Sequence, residues 1–202
     1  MLTLDKLSFY ANEKKIFTDL SLSVSISSVL VVTGKNGCGK SSLLKLIAGI
    51  YECNNGNILW GNENVKNFRD EFNGDLQYIG HKNFLKKQLS VKENLNFYSK
   101  IADTTMAVPS AIEFFELRDY EDEIIKNLSS GMQQRVILAK LLACPATLWL
   151  LDEPSTNLDK YFQEKLYHLI KNRSKDKGLI IIATHDEKFF DLGLKLNLED
   201  FS

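Results

Sequence analysis

The run Val29-Leu30-Val31-Val32 leads without a break into Gly34-Lys35-Asn36-Gly37-Cys38-Gly39-Lys40-Ser41, and then into Leu43, Leu44, Ile47 and Ile50 at helical spacing. Few folds tolerate that succession. The apolar run does not alternate with polar residues, so as a strand it must be covered on both faces, as in a parallel sheet. The loop satisfies G-x-x-x-x-G-K-[ST] at Gly34, Gly39, Lys40 and Ser41. Its glycines let backbone N–H groups turn inward around phosphate oxygens, and the helix that opens there adds the positive end of its dipole. Gly34, Lys35, Asn36, Gly37, Cys38, Gly39, Lys40, Ser41 and Ser42 are therefore the expected cradle of a nucleotide. Lys40 is placed to neutralise the β- and γ-phosphates, and Ser41 to offer its hydroxyl to Mg²⁺. Cys38 fills a variable position and is assigned no chemistry of its own.

The flanking sequence supports an α/β reading. Ser21 to Ile26, "SLSVSI", alternates with period two, and "NNGNILW" sets a turn at Asn55-Gly56 ahead of another strand. From about 83 to 127 the character changes: "VKENLNFYSKI", "SAIEFFELRDY" and "EDEIIKNL" carry helical periodicity with no strand signal, which predicts a helical insert. Strands and helices then alternate: a helix from about Ser130 stopped by Pro145, the strand "TLWLL", the helix "YFQEKLYHLIKNR" and the strand "GLIIIAT". Buried strands alternating with helices imply a parallel sheet with helices on both faces. No repeat, low-complexity stretch or long linker divides the 202 residues, and the tail after His185 is too short for a regulatory domain.

"TLWLLDEP" ends its buried strand in Asp152 and Glu153. Beside a phosphate loop, Asp152 is the expected Mg²⁺ ligand, through water, and Glu153 the group that orients or deprotonates the attacking water. His185 follows another apolar strand, at the carboxyl edge where open α/β sheets gather ligands, and is a candidate contact for the γ-phosphate.

Charge and composition exclude other classes. The formal net charge of −1 removes the electrostatic footprint of a nucleic-acid binder, and the densest basic runs, Lys14-Lys15 and Lys86-Lys87, read as solvated faces. Cys38, Cys53 and Cys144 show no metal-ligand spacing, and their odd number suggests a reducing compartment. The first ten residues lack a leader's basic head and apolar stretch, and no apolar run is long enough to cross a bilayer. Any tie to a membrane must come through a partner.

These motifs in this order resemble the ATP-binding subunit of ABC transporters over essentially the whole chain. The resemblance implies a P-loop NTPase (RecA-like) core with an N-terminal antiparallel β-subdomain and the helical insert. "LSSGMQQR" (Leu128 to Arg135) matches the family signature usually written LSGGQ, with Ser130 and Met132 as departures. "STNLD" (Ser155 to Asp159) looks like the D-loop, "ATHD" like the H-loop, and "GHKN" falls where the Q-loop belongs. In the family two subunits pack head to tail, so Ser129, Ser130 and Gly131 would cover the γ-phosphate held by the other copy's Lys40. An aromatic near the end of the first strand should stack on adenine; Tyr10 is the candidate, while Phe9 would face the core. His81 stands where most relatives have glutamine, and with "ENLNFY" this segment is similar to the ATP-binding subunit of the haem exporters of cytochrome c maturation. His81 is either a strand-end residue without a part in catalysis or a sensor of Mg²⁺ or water, with Gln77 a weaker candidate. The resemblance further implies ATP and Mg²⁺, an integral membrane permease, a second copy of the chain, haem as an indirect partner, and a peripheral place on the cytoplasmic face of the bacterial inner membrane. An ATPase for another transported substrate, a soluble ABC ATPase of an assembly or repair pathway, and a nucleotide-gated binding module with negligible turnover share most of these motifs.

Overall fold

The computed structural model describes residues 1–11, 14–80, 85–102 and 104–202. Two antiparallel strands come first, β1 (Leu2–Ala11) and β2 (Lys14–Val24), followed by β3 (Ser28–Thr33) and α1 (Lys40–Ile47). Then come β4 (Asn55–Trp60), β5 (Glu63–Asn64), the short α2 (Arg69–Gly74) and β6 (Leu76–Ile79). The helices α3 (Val91–Ile101), α4 (Val108–Phe114) and α5 (Ser130–Ala143) precede β7 (Leu148–Asp152), α6 (Lys160–Lys175), β8 (Leu179–Ala183) and β9 (Leu194–Asn197). Two sheets result: an antiparallel one in the order β2-β1-β4-β5, and a parallel one in the order β6-β7-β8-β3-β9.

The parallel sheet separates two apolar cores. Val29, Val31, Trp149, Leu151, Ile180 and Ile182 face α5 and α6, together with the helical segment. Their neighbours Leu30, Val32, Leu148, Leu150, Leu179 and Ile181 face α1 and the antiparallel sheet. Water reaches neither face of the central strands, which is why their sequences run apolar without alternation. The second cover is a sheet together with α1, so helices do not cover that side alone.

Helix α1 stops earlier than its apolar periodicity implies. Gly49 takes φ +71°; its N–H donates to Leu46 O at 3.0 Å, and Ile50 N–H donates to Lys45 O at 2.8 Å, a Schellman end. Ile50 therefore lies past the helix and is 52% exposed, not on the buried face with Leu43, Leu44 and Ile47. The segment "EDEIIKNL" also departs from expectation, forming only a 3₁₀ turn at Ile125–Asn127. Its backbone donors are committed elsewhere: Ile125 N–H to Leu89 O at 3.0 Å and Lys126 N–H to Lys87 O at 3.1 Å. Strands β6 and β9 are four residues each and too short to leave a periodic signal, and one residue in each, Ile79 and Leu196, is buried. They form the edges of the sheet, where a strand pairs on one side and its other side chains are only partly covered.

Helix α3 is fixed at its start by a capping box between Ser90 and Glu93. Beside it the fully buried Asn94 accepts from Lys86 N–H at 2.8 Å and donates to the carbonyls of Lys86 and Ser90 at 3.0 and 2.9 Å. Replacement by leucine strands those backbone groups without water. Asn94→Leu should lower unfolding stability by about 2–3 kcal/mol, read from the urea midpoint at unchanged m.

Candidate nucleotide site at the sheet edge

The carboxyl ends of β3, β7 and β8 converge on one edge. Register decides what meets there: Asp152 pairs with Ala183, and Val32 with Ala183 from the other side, so the residues that follow each strand share one rim.

The loop after β3 turns into α1 through Gly39, at φ +106°. A methyl on this residue would overlap Ile16 Cγ2 of β2, so the antiparallel sheet presses against the loop where the helix begins. Lys40 is buried. Its ammonium donates to Gly34 O at 2.7 Å and Lys35 O at 3.2 Å, and thus folds back over the loop it follows. Ser41 donates its hydroxyl to Asp152 Oδ1 at 2.9 Å, joining α1 to the end of β7, and Asp152 is itself buried. Tyr78, on β6, has its hydroxyl pushed far above the usual phenol range by burial first, and then by the nearby Asp152 carboxylate. It remains neutral at any working pH.

Glu153 takes a left-handed backbone, φ +49°, that a non-glycine residue adopts only under constraint. Three contacts supply it. Its N–H donates to Ala183 O at 2.8 Å, Oε2 accepts from the Thr184 hydroxyl at 3.1 Å, and Oε1 lies 2.9 Å from His185 Nδ1. Thr184 is fully buried and also accepts from Asp186 N–H at 3.0 Å. Sequence reasoning singled out Glu153 and His185 and missed Thr184; its place inside "ATHD", directly before the histidine, was the available signal. Asp186 accepts from Ser155 at 3.0 Å, and Gln134 of α5 donates to Pro154 O at 2.9 Å, so the segment after Glu153 is tied to both neighbours.

The second helix tip stands apart. Ser129 caps α5, its hydroxyl accepting from Met132 N–H at 3.3 Å, and Ser129 and Ser130 are exposed. Gly131 sits so close to Asn157 that a Cβ would meet its carbonyl oxygen at 2.8 Å. Ser129, Gly131, Met132 and Arg135 share a cavity of about 240 Å³ with Asn157 and Asp159, and the phosphate loop contributes nothing to its lining.

Tyr10 presents its ring to solvent at the end of β1, and the buried Phe9 stacks on Tyr51 with centroids 5.7 Å apart. Tyr51, also partly exposed, is an aromatic that sequence reading passed over. Gln77 is drawn away from the site: its amide donates to the carbonyls of Lys140 and Cys144 and so caps the end of α5. His81 lies outside the described residues. Among the described residues no cluster of three or more His, Cys, Asp or Glu side chains could hold a metal by itself, and no helix is long and apolar enough to cross a membrane.

Residues 17–156 match the family model described as ABC transporter. The chain belongs to the ABC transporter family, as an ATP-binding subunit. This ABC ATPase binds nucleotide and hydrolyses ATP. It is 41% identical over 187 residues to the cytochrome c biogenesis ATP-binding export protein CcmA of Rickettsia bellii, a match spanning 93% of this chain and 94% of that protein. To the protein of the same name from Aliivibrio fischeri it is 35% identical, across 95% of both chains. In fold it superposes with a TM-score of 0.86 on an ATP-binding cassette solved as a dimer in a post-hydrolysis state with ADP and Pi, at 21% identity and over 98% and 95% of the two chains. The P-loop core, the antiparallel β-subdomain and the helical segment are thus the ABC-type arrangement expected from the motifs.

The contact of Gly39 with Ile16 makes a separable prediction. Gly39→Ala should destabilise the ABC ATPase by about 2–4 kcal/mol, from a strained φ and from overpacking together. Adding Ile16→Ala should recover the packing share and leave the backbone share, read as urea midpoints of the single and double variants.

Proposed function

We propose that this ABC ATPase works as a head-to-tail pair of copies beneath an integral membrane permease, on the cytoplasmic face of the bacterial inner membrane, and serves haem delivery for cytochrome c biogenesis. The observation that carries this reading is its likeness, along nearly the whole chain, to proteins named for ATP-dependent export in cytochrome c biogenesis. The separation of the Ser129–Gly131 helix tip from the chain's own phosphate loop supports the paired arrangement.

In the proposed mechanism, the N–H groups from Gly34 to Ser42 wrap the triphosphate, and Lys40 exchanges its two loop carbonyls for β- and γ-phosphate oxygens. Ser41 and Asp152 fit Mg²⁺: they are hard oxygen donors already in contact, and a buried carboxylate beside a hydroxyl suits a cation that keeps most of its water. Held by Ser41 and Asp152, Mg²⁺ would supply positive charge against the charge that develops on the phosphates. Glu153 holds the attacking water and accepts its proton. Thr184 and His185 fix that carboxylate from both oxygens, and His185 is free to turn its Nε2 toward the γ-phosphate. Ser129, Ser130 and Gly131 present the α5 terminus to the nucleotide of the other copy, and Tyr10 stacks on its own adenine. His81 relays nucleotide state to the permease through the groove beside the helical segment.

Glu153→Gln should retain nucleotide yet hydrolyse it more slowly by a factor on the order of 10²–10⁴. With permease and saturating MgATP this trapped variant should scatter light as a dimer; a persistent monomer would refute the sandwich. Replacing His81 by alanine should reduce permease-stimulated turnover more than nucleotide affinity, and equal losses in both would remove its relay role. In cells, loss of this chain should deplete c-type cytochromes.

A further inference from the structure

Helix α4 ends in a full Schellman turn: Glu116 N–H donates to Glu113 O at 3.0 Å, and Leu117 N–H to Ile112 O at 2.9 Å. The residue at the left-handed position of such a turn is normally glycine, because a Cβ there crowds the backbone. Here it is glutamate, at φ +52°. A strained backbone persists only where its surroundings impose it, and the side chain of Glu116 shows what they are. Its Oε1 accepts from the Tyr161 hydroxyl at 2.6 Å and from the Lys165 ammonium at 2.8 Å, both on α6. Those hydrogen bonds, from Lys165 first and then Tyr161, hold the carboxyl below the usual carboxylate range.

The grip falls where three helices meet. Phe115 O, one residue before the glutamate, accepts from the Arg135 guanidinium of α5 at 3.4 Å. Arg135 in turn lies over the Phe162 ring of α6, 4.4 Å from its centroid. Lys165 lies over the Phe114 ring, 5.0 Å from its centroid, so the ammonium serves both the carboxylate and the apolar junction. Arg135 and Phe162 are also walls of the cavity that holds Ser129 and Gly131, at the tip of α5. At that tip the Asn157 carbonyl leaves Gly131 no room for a methyl group. Helix α5 is thus held at two points, by Asn157 at its tip and by the α4–α6 junction about one turn further along.

We propose that Glu116 is a positioning residue for ATP hydrolysis: it clamps the end of α4 to α6 and so sets the angle at which the α5 tip meets the nucleotide held by the second copy. The proposal rests on the reading of the chain as a head-to-tail pair. Glu116 touches no nucleotide, and its effect passes through Phe115 and Arg135 to the tip. A small error of angle at Arg135 becomes a displacement at Ser129 and Gly131, and closure over a phosphate tolerates little displacement. The need for that grip accounts for a glutamate where glycine would relax the turn.

Glu116→Gly removes the grip and relieves the left-handed strain in one step, so its urea midpoint should stay at or above that of wild type. Pairing is read by light scattering of the full-length chain in the slowed Glu153→Gln background, diluted in saturating MgATP with permease supplied. There Glu116→Gly should weaken pairing roughly 10- to 100-fold. The affinity of dilute, unpaired chain for MgATP should not change. Glu116→Gln, whose side-chain oxygen still accepts from Tyr161 and Lys165, should restore most of the pairing. A Glu153→Gln chain that never pairs would overturn the head-to-tail arrangement and this proposal together. Pairing undiminished by Glu116→Gly would leave the arrangement standing and overturn the proposal alone. A urea midpoint that drops in Glu116→Gly in step with pairing would make the contact a brace of the fold, and likewise overturn it.

Discussion

Burial of both faces of β7, β8 and β3 is the constraint on which the rest of the molecule depends. A strand covered on one side can slip by a residue and exchange its faces; a strand packed on both sides loses two cores at once if it does. The register Asp152 against Ala183 against Val32 is therefore held by apolar contact along the full strand length, far from any chemistry. That register alone puts Glu153 N–H on Ala183 O and sets Thr184 beneath the glutamate's carboxylate.

The same packing stabilises conformations that would not persist alone. Glu153 sits at a left-handed φ and Gly39 at a turn closed on its outer side by Ile16. Each is strained or crowded locally, and each lies between elements anchored in the two cores. Polar groups at the edge are connected rather than merely adjacent: Ser41 joins α1 to β7, and Thr184 joins the glutamate to Asp186, which Ser155 joins to the loop ahead of α6. A shift in any one strand end would unpair several buried groups together, which makes the edge rigid before a ligand arrives.

The regions that differ from sequence expectation share a physical cause. Ile50 has the right spacing for the α1 face, yet Gly49 ends the helix through backbone bonds that side-chain periodicity does not record. The "EDEIIKNL" segment has helical spacing, but its N–H groups are taken by Lys87 and Leu89, remote in sequence and adjacent in space. Strand β9 buries one side chain, too little to leave a pattern, and exists because β3 offers it an edge. Gln77 looked available for the nucleotide until α5 brought two carbonyls to its amide.

Local chemistry was written in the chain itself: the phosphate loop, the carboxylate pair after an apolar strand, the histidine after another, and the ABC-type motif order each depend on neighbours within a few residues. Spacing along the chain suffices for these because backbone geometry over such distances has few solutions. Tertiary structure alone decided which groups meet. The grip of Thr184 and His185 on Glu153, the pressure of Ile16 on the loop, and the ammonium of Lys140 set against the Tyr98 ring all depend on contacts between distant segments, and those follow from how two cores pack against one sheet.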